Sequence, residues 1–64
     1  MKKVKLDLCG IDGNAFAILG KFARQAKRQG WSQDEIQAVF DEAQSGDYDH
    51  LLQTIMKYTE DEDE

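Results

Sequence analysis

No proline occurs in the 64 residues, which excludes slow prolyl isomerisation from the folding of this chain. Cysteine is almost as scarce. Cys9 is alone, so no internal disulfide can form, and with His50 the single histidine there is no Cys/His constellation for a structural zinc. Neither a metal nor a cofactor is expected. Long apolar runs are missing too: Ala15 to Leu19 is the longest, far short of the roughly 20 residues that span a bilayer. Nothing reads as a cleavable leader, and a lone thiol suits a reducing compartment, so the expected location is the cytoplasm, away from membranes.

What remains is a chain below the size at which one core comfortably offsets the entropy of folding. One domain over residues 1–59 is expected, and association with another chain is the natural supplement to so small a core. The closing acidic run, 60–64, is expected to be disordered. The net charge of −5 conceals an asymmetry. Residues 1–30 hold seven Lys or Arg against Asp7 and Asp12, a balance of +5, while residues 31–64 hold Lys57 against eleven acids, a balance of −10. Either the exposed faces are merely solvated, or one end attracts anions that the other repels.

Val4, Leu6 and Leu8 alternate with Lys3, Lys5 and Asp7, the period-two pattern of a strand with one buried face. No comparable run follows, and an isolated strand leaves its backbone groups unpaired. Val4, Leu6 and Leu8 are therefore expected at an interface between copies in a homo-oligomer; the alternative is an extended segment laid over the helices. From Asn14 to Gln29, Ala15, Ile18, Leu19, Phe22 and Ala26 share one helical face, widened by Phe16 and Ala23, and Lys21, Arg24 and Arg28 lie opposite. Gly20 sits mid-helix, either tolerated there or marking a close approach by a neighbour.

Gly30 closes that helix. Ser32 and Glu35 form a capping box, with Trp31 and Ile36 as its hydrophobic staple, and Ile36, Val39, Phe40 and Ala43 make the apolar stripe of a second helix. Asp47 can cap a third, in which Tyr48, Leu51, Leu52, Ile55 and Met56 face inward. The fold class is mainly α: one N-terminal strand, then three short helices, with Trp31, Phe16, Phe22, Phe40 and Leu52 competing for one core.

Catalysis has little to stand on. Asp34, Glu35, Asp47 and Asp49 fall where helix dipoles favour negative charge, and a Cys9–His50 dyad is set against a buried thiol and a surface histidine. No catalytic residue is assigned. The turn from Gly10 to Asn14 leads from strand to helix and matches neither phosphate-loop fingerprint, so an anion site and a plain capped turn both remain open. Long nucleic acids are disfavoured by the acidic half, whereas a short anion needs only the basic end. The leading expectation is a nucleotide-like ligand held by Gly13, Asn14, Phe16, Lys21, Arg24, Arg28 and Trp31. The alternative is an inhibitor that grips a host protein by its strand edge or acidic surface.

LDLCGIDGNAF from Leu6 to Phe16, QGWS from Gln29 to Ser32 and SGDYDHLL from Ser45 to Leu52 resemble a group of short proteins of tailed phages and prophages. The resemblance covers most of the chain. It implies a phage-type accessory protein acting stoichiometrically in a bacterial cytoplasm, by blocking a host protein or sequestering a host signal.

Overall fold

The computed structural model describes residues 3–7 and 13–60. In chain order it holds β1 (Val4–Lys5), α1 (Ala15–Arg28), α2 (Gln33–Ala43), α3 (Tyr48–Lys57) and β2 (Thr59–Glu60). Each helix begins at the cap that its sequence supplies. The Asn14 side chain accepts from Phe16 N at 2.8 Å, and the Asp47 carboxylate accepts from His50 N at 2.9 Å. At α2 the capping box is complete, with Glu35 N donating to Ser32 Oγ (3.1 Å) and Ser32 N to Glu35 Oε1 (2.7 Å). The end of α1 is a Schellman motif. Trp31 N donates to Ala26 O (2.9 Å) and Gly30 N to Lys27 O (3.2 Å), with Gly30 at φ 94°.

That turn delivers Trp31 into the core. Its indole meets Phe22 edge-on at 5.6 Å and Tyr58 edge-on at 6.4 Å, the arrangement that aromatic quadrupoles favour. Around it lie Val4, Leu6, Ile18, Leu19, Ala26, Ile36, Val39, Ala43, Leu51 and Ile55, all buried. Thr54 is buried with them, its hydroxyl satisfied by donation to His50 O one turn earlier at 2.8 Å. Three inward assignments are corrected. Phe16 is 80% exposed, Met56 61% and Tyr48 44%, because the faces of α1 and α3 that pack inward are narrower than their apolar arcs. Phe40 and Leu52 are only partly buried against the core.

The expectation that β1 has no partner downstream is also corrected. Thr59 and Glu60 pair with it in parallel, in the register Val4 to Thr59 and Lys5 to Glu60. Val4 N donates to Tyr58 O at 2.8 Å, and Leu6 N to Glu60 O at 3.0 Å. Parallel pairing requires a long crossover, and here the three helices supply it. Glu60 thus belongs to the folded unit rather than to an acidic tail. Val4 and Leu6, expected between chains, pack in the core of their own chain; Leu8 lies outside the described residues, as do Cys9 and 61–64.

On the opposite side of β1, Lys5 N donates to Gln29 Oε1 and Gln29 Nε2 donates to Lys5 O, both at 2.9 Å. The primary amide of Gln29 stands where the peptide group of a further strand would stand. Lys5 is therefore satisfied on the face away from β2, and the start of the chain is tied to the end of α1.

Candidate functional site

The expected ligand residues separate into three places. Gly13 and Asn14 lie at the start of α1, Arg28 at its end about 21 Å away for a helix of this length, and Trp31 in the core. Gly13 O accepts from the Tyr48 hydroxyl, which joins the beginnings of α1 and α3. Lys21, Arg24 and Arg28 do come together. Steps of three and four place them in one arc of α1 spanning about 10 Å. Arg24 and Arg28 are exposed and Lys21 half-buried. Among the described residues these three cations enter no ion pair.

Lys57 is the contrast. Its ammonium donates to Glu42 Oε2 at 2.9 Å and lies 5.3 Å from the Tyr58 ring centroid. The Tyr58 hydroxyl takes the other oxygen, Glu42 Oε1, at 2.9 Å. These bonds, first from Lys57 and then from Tyr58, hold the Glu42 carboxyl below its ordinary value. Reciprocally, the bond to Glu42 raises the Lys57 ammonium and, together with burial, the Tyr58 phenol. The triad clasps α2 to the end of α3. Because Lys57 and Glu42 are both open to water, the contribution of the ion pair to stability is screened.

Beside it, His50 Nε2 lies 2.8 Å from Glu42 O and 3.2 Å from Ser45 Oγ. A carbonyl can only accept, so Nε2 carries the proton and donates it to Glu42 O, and no lone pair on that nitrogen is left to activate Ser45. The Ser45 hydroxyl itself donates to the same carbonyl at 2.7 Å. Both side chains therefore satisfy a carbonyl at the C-terminal end of α2, a cap built from side chains. The ring packs so closely on the turn that a Cβ on Gly46 would fall 2.8 Å from its Cγ. The Cys9–His50 dyad cannot be placed, since Cys9 lies outside the described residues. Among the described residues no group of three or more His, Cys, Asp or Glu is arranged to hold a metal ion, and no helix is long and apolar enough to cross a membrane.

Periodicity missed Gln29 and Glu42. Gln29 follows the last turn of α1, and nothing local marks an amide that will pair with residue 5. Glu42 reads as one more solvated acid until α3 brings Lys57 and Tyr58 to it. No protein-family model, curated protein or solved structure matches the chain.

Proposed function

We propose that this protein is a non-enzymatic binding protein that takes a small anionic, nucleotide-like ligand on the outward basic arc of α1. The observation that carries the reading is the row Lys21, Arg24 and Arg28, three cations in one arc that no carboxylate of the described residues pairs. Cations that no described carboxylate pairs, on a chain of net charge −5, are a local reservoir of favourable interaction for an anion. The acidic α2, with Asp47 and Asp49 at the start of α3, disfavours a long polyanion, while the row is short enough to be covered by a ligand that never reaches them.

The role that fits is stoichiometric sequestration of a host signalling molecule in a bacterial cytoplasm, the kind of accessory task that the phage resemblance implies. The row, rather than the Gly13–Asn14 turn or Trp31, holds the ligand, because those residues lie at the far end of α1 and in the core.

A thermal-shift screen of the protein against nucleotides and nucleotide second messengers tests the reading. A ligand at one hundred times its dissociation constant adds about 2.7 kcal/mol of stability, and Arg24→Ala with Arg28→Ala should abolish that gain without lowering the melting temperature of the free protein. No shift with any nucleotide, or a shift indifferent to both arginines, refutes it.

A further inference from the structure

Two features of the outer surface are only partly used by the chain's own packing: Ala23 and Leu52 touch the core with one side and Tyr48 holds Gly13 O, while Phe16, Gly20 and Met56 stay exposed. The first is on α1, where Phe16, Gly20, Ala23 and Lys27 recur at steps of four, three and four and so form one continuous seam. Phe16 is 80% exposed. Among the described residues nothing lies within 4 Å of where a Cβ on Gly20 would stand, so none of them explains a glycine in mid-helix. A gap of that kind admits another helix at close range.

The second is on α3. Tyr48, Leu52 and Met56 step by four along one ridge, with Met56 61% and Tyr48 44% exposed and Leu52 partly buried. Asp49 lies two turns before Met56 on the same outward side. The α1 seam ends on Lys27 and is flanked by Arg24, and the α3 ridge is flanked by Asp49 and the capping Asp47. The two surfaces are thus complementary both in shape, a gap against a ridge, and in charge.

We infer that this protein docks with a second copy of itself, the α3 ridge of one chain seating on the α1 seam of the other, with Met56 and Leu52 against Gly20 and Ala23. Arg24 and Lys27 of one chain then face the acidic start of α3 in its partner. Every copy carries both surfaces, and the dimer we infer is the two-fold arrangement in which the contact is made twice. The interface lies on the helices and leaves β1 to its pairing with β2 and Gln29. It does not rest on the ligand reading: Arg24 borders both surfaces, but Lys21 and Arg28 lie on the other side of the outward arc from the seam.

Sedimentation equilibrium of the full chain, from micromolar to millimolar concentration and at low and high salt, tests it. The expected result is a monomer–dimer equilibrium that weakens with salt. Gly20→Leu should fill the gap and lower the association constant at least tenfold, while the far-ultraviolet circular dichroism stays helical and the melting temperature of the dilute protein does not fall. Asp49→Lys should lower association likewise, and mixing it with Lys27→Glu should restore dimers across the exchanged pair. A monomer at every concentration, or a dimer indifferent to Gly20→Leu in a folded protein, overturns the inference. The nucleotide shift is read on Lys21→Ala with Arg28→Ala, which lie off the seam, and association on Gly20→Leu, so either result can fail alone.

Discussion

Gly30 and Gly20 receive the same substitution and should respond with opposite signs. At neither position does an added Cβ meet an atom of the described residues within 4 Å, so packing is removed from the comparison and only backbone conformation differs. Gly30 sits at φ 94°, in the left-handed region where an L side chain crowds its own carbonyl at a cost of roughly 1–2 kcal/mol. Relaxing φ would pull Trp31 N from Ala26 O and Gly30 N from Lys27 O, the two bonds that close α1. Gly30→Ala should therefore destabilise by about 1–2 kcal/mol, which for a domain of this size lowers the melting temperature by about 4–16 °C. Gly20 is helical and exposed, and there Ala gains about 1 kcal/mol from helix propensity.

Thermal and urea unfolding at micromolar concentration, where self-association contributes least, measures both. A chemically synthesised chain with D-alanine at position 30 isolates the cause: it adopts positive φ without strain and should stabilise by about 0.4–1 kcal/mol through the unfolded state. Equal signs for the two L-alanine variants, or a D-alanine chain as unstable as the L-alanine one, would refute the reasoning.

Trp31→Ala should cost about 3–5 kcal/mol, since it removes the ring between Phe22 and Tyr58; denaturant unfolding followed by circular dichroism checks it, and a loss under 1 kcal/mol would place the indole outside the core. Gly46→Ala drives a methyl group into the His50 ring and should cost about 1–3 kcal/mol as overpacking, with the His50 imidazole resonances shifted in NMR spectra; an unchanged melting temperature would count against it. The Glu42 carboxyl is lowered in the folded state, so its stabilisation is present above the ordinary 4.5 and is lost as pH falls through the folded value. Lys57 and Tyr58 are raised, so theirs is present below 10.5 and 10.0 respectively and fades as pH rises through the folded values. Melting curves from pH 2 to 11 should decline at both ends, and Glu42→Gln should flatten the acid limb; an identical limb in the variant would exclude the triad.

The local grammar was legible in residues that act within one turn of each other. Ser32 with Glu35, and Asp47, each announced a helix, and Gly30 announced a stop, because a cap needs only its own backbone neighbours. The buried stripes of α1 and α2 followed from period alone. The candidate site was legible only in part: spacing placed Lys21, Arg24 and Arg28 in one arc, yet it offered Trp31 to both the core and the ligand and could not choose between them.

Tertiary structure decided the rest, for a common reason. An apolar arc states which residues could be covered, not how much of it a neighbour will cover, so Phe16, Tyr48 and Met56 read as core and emerged on the surface. Thr59 and Glu60 carry no strand pattern; they are extended because α3 delivers them alongside β1, whose amides they satisfy. Gln29 imitates a strand only because α1 has the length that sets its amide against Lys5. Short-range chemistry determined where this chain bends and caps, and long-range packing determined which of its surfaces were left to meet anything else.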